Sequence, residues 1–293
     1  MILNLMALRH SAFYSPYLMM MAGGHLRGAG FEVNYSLQTP TRQVRQSLLD
    51  GSCHVSQSAV AASFASLESH QPDSIRHFAQ INNRDGFFIA TRNKTRNFQW
   101  QDLQGKRLLA DHFFQPLAML KYALEKQRID WHSIDIIDAG DVNQIEQAFR
   151  DGLADYVHMQ GPTPQQLQSE GLAWVCASVG EVIGPVAFSS LCATEDWLAT
   201  EAANTFFQLY QRSLQQCQQE KASDIARQLQ DYGFLNEIHS EVLVTTIECY
   251  QQLGCWNHSG EIAETEYNTL LDVFEYSQLI SERYAPERLI VSL

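Results

Sequence analysis

The sequence has few lysines, no closely spaced pair of cysteines and no long apolar run. Only five of its 293 residues are lysine, and its formal net charge is −13. Because nucleic acids and anionic membranes are polyanions, this charge disfavours both as partners. The apolar run at residues 18–22 is too short to span a bilayer. We therefore expect a soluble chain that does not bind nucleic acid and does not insert into a membrane.

The cysteines do not form a recognisable redox or metal motif. Six are scattered along the chain without a CxxC pair, at positions 53, 176, 192, 217, 249 and 255. The first three lie in apolar runs, which is typical of small core residues. We expect buried free thiols in a reducing compartment, while a Cys249–Cys255 disulfide stays open as an alternative.

The first residues predict a strand rather than a targeting segment. Residues 1–8 are mostly apolar, and Arg9 and His10 follow too closely for the charged and apolar regions of a signal peptide. The expected location is therefore the cytoplasm, or the periplasm if a signal was removed from the natural precursor. We also expect a monomer.

Common catalytic motifs are absent from the sequence. It contains no HExxH, no GxSxG and no GxxxxGK[ST]. Gly28-Ala29-Gly30 follows a predicted helix and is interpreted as its end, and Glu261 and Glu264 are expected on a solvated helix surface. We predict no metal ion, no cofactor and no catalytic residue.

A stretch at residues 48–58 combines a helix end, a turn and a strand. Gly51 suits the left-handed conformation that ends a helix, and a short buried strand follows it. Ser56, Gln57 and Ser58 then precede a predicted helix at residues 59–67, where free N–H groups would be available. This arrangement suits a bound polar or anionic group.

The same pattern recurs about a hundred residues later, at residues 148–161. Asp151-Gly152 matches Asp50-Gly51, and Gln57 and Gln160 both fall at predicted strand tips. One such unit occurs in any α/β protein, but two at matching places indicate two similar lobes with a cleft between them.

Apolar patterning and turn residues predict the remaining elements. Strands are predicted at residues 2–8, 31–35, 75–81, 87–92, 108–110, 134–137, 174–176 and 182–191. Helices are predicted at residues 16–26, 42–49, 117–127, 142–149, 195–219, 222–231, 239–252 and 263–284, and a turn at Gln71-Pro72-Asp73. Crossings near residues 86 and 186 divide the chain into lobe one (1–86 and 187–293) and lobe two (87–186), each with a mixed, mostly parallel sheet flanked by helices.

Five segments together resemble the type II periplasmic-binding-protein fold. They are residues 10–16, 49–58, 103–107, 141–143 and 149–155. Their order is similar to the substrate-binding family for nitrate, sulfonate and thiamine-pyrimidine precursors, which includes the fungal pyrimidine synthase. The resemblance implies an α/β, two-lobed protein with C-terminal helices, and a small-molecule ligand delivered to an ABC transporter permease.

The sequence also departs from that family. His54 stands where the family usually has aspartate, and Leu8-Arg9 where thiamine-precursor binders tend to have Asn-Trp. The synthase's lysine and histidine correspond to Ser58 and Ala62, and its cysteine-rich run is missing. The synthase's self-consuming chemistry is therefore not expected here.

Polar and aromatic residues at predicted strand ends form the candidate ligand site. Ligands of open α/β sheets bind beyond the carboxyl ends of strands. The candidates are His10, Phe13, Tyr14, Ser56, Gln57, Ser58, Asn82, Arg84, Asp111, Phe113, Phe114, Gln115, His158 and Gln160. Their aromatic and amide groups favour a small planar or aromatic ligand, and Arg84 would suit an anion on it. Phe113 and Phe114 could instead belong to the core.

Two functions are consistent with these observations. The first is a binding protein whose lobes close over one small molecule. The alternative is a cytoplasmic enzyme on the same fold, which the resemblance implies could be a menaquinone-pathway lyase or an enzyme of thiamine-pyrimidine biosynthesis.

Overall fold

A computed structural model describes residues 1–70, 74–95 and 97–293 and contains two five-stranded sheets. The strands are β1 (Ile2–Ala7), β2 (Glu32–Leu37), β3 (Val55–Ser58), β4 (Ile75–Asn82), β5 (Phe87–Thr91), β6 (Arg107–Ala110), β7 (Asp135–Ile137), β8 (Tyr156–Gln160), β9 (Trp174–Ser178) and β10 (Ser189–Thr194). The predicted turn at Gln71-Pro72-Asp73 lies outside the described residues.

Helices flank both sheets and fill the C-terminal third of the chain. They are α1 (Ser15–Ala22), α2 (His25–Gly28), α3 (Val44–Leu49), α4 (Val60–Glu68), α5 (Phe114–Lys126), α6 (Val142–Arg150), α7 (Thr163–Ser169), α8 (Val179–Ile183), α9 (Glu195–Leu198), α10 (Glu201–Gln219), α11 (Ala222–Tyr232), α12 (Ser240–Leu253) and α13 (Glu264–Tyr276). Over the described ranges, none of these helices has the length and hydrophobicity needed to cross a membrane.

The two sheets have the same topology. The first has the order β2-β1-β3-β10-β4 and the second β7-β6-β8-β5-β9. In each, the fourth strand runs antiparallel to its neighbours and reaches its sheet by one of two crossings between the lobes. The predicted boundaries after residues 86 and 186 fall between β4 and β5 and between α8 and β10. The α/β, two-lobed fold class is confirmed.

The repeated helix–turn–strand unit occupies equivalent places in the two sheets. Gly51 and Gly152 both adopt left-handed backbone, with φ of +75° and +87°, directly before β3 and β8. A residue with a Cβ would be strained at either position, which explains why glycine ends both helices. In equivalent positions of the two sheets, β3 then pairs in parallel with β1, and β8 pairs in parallel with β6.

Several predicted boundaries are wrong for identifiable local reasons. The helix predicted at residues 16–26 is interrupted at Gly23-Gly24, where Gly24 has a φ of +73°. The last helix stops at Tyr276, and Gln278 just beyond it has a φ of +55°. The strand predicted at residues 182–191 begins inside helix α8, which ends at Ile183, and only its residues 189–191 belong to β10, which continues to Thr194. Short apolar runs do not distinguish a strand from a buried helical turn.

The C-terminal helices cover lobe one and also reach lobe two. Helix α12 contacts both α7 of lobe two and the short turn Ala12–Tyr14 of lobe one. The buried Trp256 donates its indole N–H to Asn82 Oδ1 at 2.9 Å, which fixes the loop after α12 against β4. Cys249 and Cys255 do not form a disulfide, so the pairing left open from the sequence is not present.

Candidate functional site

The carboxyl ends of strands from both lobes face one another across a cleft, and two cavities lie between them. The larger, about 220 Å³, is lined by Arg9, His10, Ser11, Asp111, Val142, Ile145, Met159, Gln160, Gly161, Pro162 and Thr163. The smaller, about 50 Å³, is lined by Leu8, Arg9, Tyr14, Gln57, Ser58, Ala59, Phe87, Phe113, Gln115, Pro116, Gln160, Phe188 and Ser189. Arg9 and Gln160 border both cavities.

An ion pair between Arg9 and Asp111 crosses the cleft. Arg9 follows β1 in lobe one, Asp111 follows β6 in lobe two, and their Nη1 and Oδ2 atoms are 3.2 Å apart. The Asp111 side chain is 9% exposed, and its other oxygen accepts the backbone N–H of Phe113 at 2.8 Å. The Arg9 guanidinium also lies 5.4 Å from the centre of the Phe113 ring. The pair therefore joins the lobes between the two cavities.

His10 contributes an uncharged polar wall to the larger cavity. Its ring packs edge-on against Phe234, with centroids 5.1 Å apart, and its Nε2 is buried without a hydrogen-bond partner among the described residues. Burial lowers the pKa of His10, although the nearby Glu237 carboxylate opposes this effect. The imidazole is therefore neutral at pH 7 and can offer one nitrogen to a ligand.

The carbonyl of Gly161 in lobe two receives hydrogen bonds from elsewhere in the chain. Ser11 of lobe one donates its hydroxyl to this oxygen at 3.2 Å, and Tyr250 of α12 donates at 3.3 Å. The same Tyr250 hydroxyl lies 3.3 Å from the Gly86 carbonyl at a crossing between the lobes. Because a hydroxyl has one proton, Tyr250 can satisfy only one of these carbonyls fully at a time.

Eight of the fourteen predicted site residues line a cavity. They are His10, Tyr14, Gln57, Ser58, Asp111, Phe113, Gln115 and Gln160. Gln57 is partly committed to the fold, because its Oε1 accepts the Leu8 N–H at 3.0 Å and its Nε2 donates to the Ser58 carbonyl at 3.2 Å. Ligand contact by these eight residues stays a prediction.

Three predicted residues lie in the interior of the protein rather than at the cavities. Phe13 is fully buried, with its ring 4.8 Å from that of Tyr250. Ser56 donates its hydroxyl to the Met6 carbonyl at 3.1 Å. Asn82 donates to the Ser189 hydroxyl at 2.7 Å, so its amide is used to hold two strands together.

Three further predicted residues also lie away from the cavity linings. Arg84 sits at the crossing between the lobes, with Nη1 3.5 Å from the Gly180 carbonyl. Phe114 packs edge-on against Phe274 of α13 at 5.1 Å. His158 is fully buried and stacked on Phe87, and burial lowers its pKa to about 4. The anion-contact role expected of Arg84 therefore has no support from its position.

The candidate list missed several lining residues. Arg9 and Ser11 follow β1 on either side of His10, so the strand-end rule that selected His10 could also have selected them. Phe188 and Ser189 lie where the chain returns to lobe one, and no pattern in the sequence indicated that this segment would border the cleft.

Within the described ranges, no group of three or more histidine, cysteine, aspartate or glutamate side chains is placed to hold a metal ion.

A family model described as NMT1/THI5 like matches residues 13–223, which is most of the chain. The chain belongs to the NMT1/THI5-like family. The resemblance recognised from the five sequence segments is thereby confirmed.

Known proteins similar to this NMT1/THI5-like chain include one sequence relative and several solved structures. It is 25% identical over 290 residues to YtlA of Bacillus subtilis (strain 168), which carries the provisional name of a binding protein; the alignment covers 94% of this chain and 86% of YtlA. The ligand-binding component of an ABC-type import system from Staphylococcus aureus, solved with zinc bound, superposes with a TM-score of 0.77 at 12% identity, covering 99% of this chain and 96% of the other.

The periplasmic aliphatic sulphonate binding protein SsuA from Escherichia coli gives a TM-score of 0.76 at 10% identity, covering 98% of this chain and 96% of SsuA. At sequence identities of 12% and 10%, the structural similarity to these two proteins shows a shared fold. Together with the family membership, these binding proteins support a binding role for the NMT1/THI5-like chain.

Proposed function

We propose that this chain is the substrate-binding component of an ABC-type import system and that its lobes close over one small planar or aromatic metabolite. The observation that carries the proposal is the cavity of about 220 Å³ between strand ends of the two lobes, which is walled by residues from both. Ligands of open α/β folds bind at such strand ends, and two-lobed proteins enclose them by hinge closure.

Volume decides which cavity holds the ligand. A dry cavity of about 150 Å³ accommodates benzene in another protein, so about 220 Å³ suits one ring with small substituents. The smaller cavity, at about 50 Å³, is too small for such a ring. The ligand therefore belongs in the larger cavity, beside Arg9 and His10.

The walls of the larger cavity favour a flat molecule with polar groups along one edge. Val142, Ile145 and Met159 of lobe two form an apolar side, while His10 and Gln160 supply hydrogen-bonding groups. Apolar walls with a few placed polar groups are typical of sites for small metabolites. A thiamine-pyrimidine precursor has this shape, and it is the finer assignment that we propose.

A ligand screen tests this function. We expect a pyrimidine or aromatic compound to raise the melting temperature, with calorimetry giving the stoichiometry of one. Val142→Trp should abolish that response, because the half-buried Val142 lines the larger cavity at the start of α6 and a bulky ring there would fill it. The matched control is Asn143→Trp, since Asn143 is exposed and lies outside both linings. If no ligand stabilises the protein while a substrate is turned over, the binding function is wrong.

Delivery to an importer also bears on location. A receptor for an import system acts outside the cytoplasmic membrane, whereas an enzyme or sensor on the same fold would act in the cytoplasm. Fractionation of cells that express the native gene, with immunodetection, separates the two. Recovery of the protein in the periplasmic or extracellular fraction supports import, and recovery in the cytosol argues for a cytoplasmic sensor or enzyme.

Tyr250→Phe should weaken the connection between α12 and lobe two. The substitution removes the hydroxyl shared by the Gly161 and Gly86 carbonyls but keeps the ring, which is fully buried against Phe13. We expect the free energy of unfolding to fall by about 1 kcal/mol, as for one neutral hydrogen bond. Urea unfolding measures this, with Tyr232→Phe as the control, because Tyr232 is 48% exposed. Equal stability of both variants would show that the hydroxyl contributes nothing.

A further inference from the structure

We infer that the ligand of the larger cavity carries no net charge and binds beside an intact Arg9–Asp111 ion pair. This inference rests on the proposed function, because it specifies the chemistry of the molecule that the lobes enclose. It starts from the charges that surround the cavity. Among the described lining residues, only Arg9 and Asp111 bear a charge at neutral pH, and they lie 3.2 Å apart.

The ionisable side chains around the cavity carry a summed charge that is neutral to negative. Arg9 and Asp111 cancel each other, and His10 is neutral because burial lowers its pKa. The Glu237 carboxylate is close enough to influence His10, and it adds a negative charge nearby. The whole chain has a formal net charge of −13. Apart from the start of helix α6 at Val142, neither the side chains around the cavity nor the overall charge therefore attracts an anion.

An anion at Arg9 would meet the Asp111 carboxylate in either of two ways. If it replaced Asp111 on Arg9 Nη1, the carboxylate, which is 9% exposed, would keep only the Phe113 N–H as a partner. If it used another guanidinium N–H, it would lie beside the negative charge of Asp111, which already neutralises Arg9. Removing one partner of a buried ion pair is strongly unfavourable because it leaves an uncompensated charge. Arg9 is 30% exposed and can reach water, so the penalty falls mainly on the carboxylate. A free anion is therefore disfavoured here.

An uncharged ring avoids this cost and uses the groups that remain. His10 and Gln160 both border the cavity, and the Nε2 of His10 lacks a partner among the described residues. Both form neutral hydrogen bonds with amide, amino or ring-nitrogen groups. The inference thus separates this chain from the structural neighbour named for sulphonates, since a sulphonate is an anion.

Three probes that share one ring but differ in charge test the inference: benzamide, benzoate and benzenesulfonate. In the wild-type protein, calorimetry and melting curves should show benzoate and benzenesulfonate binding at least tenfold more weakly than benzamide. Asp111→Asn keeps the shape of the side chain and an acceptor for the Phe113 N–H, but it releases Arg9. This variant should bind benzoate at least tenfold more tightly than the wild type does, while benzamide affinity changes less than threefold.

The matched control is Asp138→Asn, which removes the same charge from lobe two at a position that is 58% exposed and outside both cavity linings. It should leave the order of the probes unchanged. Tighter binding of benzoate than benzamide by the wild type, or no gain of benzoate binding in Asp111→Asn, would overturn the inference. The proposed function is tested separately by the rise in melting temperature on ligand addition. If Val142→Trp and Asn143→Trp show an equal rise, the ligand does not occupy the larger cavity and the proposed function is wrong.

Discussion

We expect the wild-type protein to become less stable as the pH rises from about 4 to about 8. The substitution Asp85→Asn should remove most of this pH dependence. Asp85 lies at the crossing from lobe one to lobe two and is fully buried. One carboxyl oxygen accepts the Phe87 N–H at 2.6 Å, while the other is buried without a partner among the described residues. Burial raises the pKa of this carboxyl from 3.8 to about 8, an effect that the hydrogen bond from Phe87 only partly offsets.

The direction of the pH dependence follows from that pKa. Below about pH 4, Asp85 is protonated in both the folded and the unfolded chain. As the pH rises towards 8, the unfolded chain loses this proton while the folded chain keeps it, so the unfolded state becomes relatively more favourable. Each pH unit in this window costs about 1.4 kcal/mol at most, so the total loss is on the order of a few kcal/mol.

Urea unfolding at pH 5, 7 and 9 measures the effect. Asparagine keeps an oxygen for the Phe87 N–H and does not ionise, so the variant should have a flatter profile and exceed the wild type in stability at pH 9. Asp231→Asn, at an exposed position, serves as the control and should follow the wild-type profile. Parallel profiles for the wild type and Asp85→Asn would mean that Asp85 is already ionised in the folded protein.

Gly180→Ala should be the most damaging small substitution at the crossings between the lobes. A Cβ on Gly180 would lie 2.2 Å from the carbonyl oxygen of Asp85 and 3.1 Å from its backbone carbon and nitrogen. All three atoms belong to the backbone, so no side chain can rotate away. Overpacking of this kind typically costs about 1–3 kcal/mol, and here it would also displace one crossing relative to the other.

The chain offers a matched control in Gly28→Ala. A Cβ on Gly28 would meet no heavy atom within 4 Å, and Gly28 ends the short helix α2. We expect its stability to equal or slightly exceed that of the wild type, because alanine favours helix more than glycine does. Melting curves and urea titrations of both variants make the comparison. If Gly180→Ala is as stable as Gly28→Ala, the close approach of Gly180 to Asp85 is not a constraint.

The parts of the fold that sequence reasoning predicted well are those that depend on local chemistry. The left-handed turns at Gly51 and Gly152 are set by the residue itself, and each directly precedes a strand of its lobe. The start of helix α6 was likewise visible, because Asp141 caps it through its own side chain. By contrast, residues 182–191 include the end of one helix and the start of one strand. Neither part is long enough to show the hydrophobic periodicity that distinguishes a helix from a strand.

For the site, sequence reasoning could select only residues that follow the carboxyl end of a predicted strand. That rule identified the neighbourhood of His10, Asp111 and Gln160, which the structure brings to one cavity. It could not tell how deeply each side chain lies, because depth depends on packing against distant segments. His158, for example, is fully buried, although Gln160 only two residues later lines the cavity. The pairing of Arg9 with a carboxylate about a hundred positions away is likewise a property of the assembled lobes.

The chain returns to the first sheet only after it has passed through the second, and this sets the order in which the sheets can form during translation. All five strands of the second sheet lie together in sequence, from β5 to β9, so that sheet can form as soon as β9 has been synthesised. The first sheet needs β10 between β3 and β4, and β10 is made only after the whole of the second lobe. Until then β3 and β4 present unpaired edges, which are templates for mispairing with other chains. The first lobe to be translated is therefore the last to be completed.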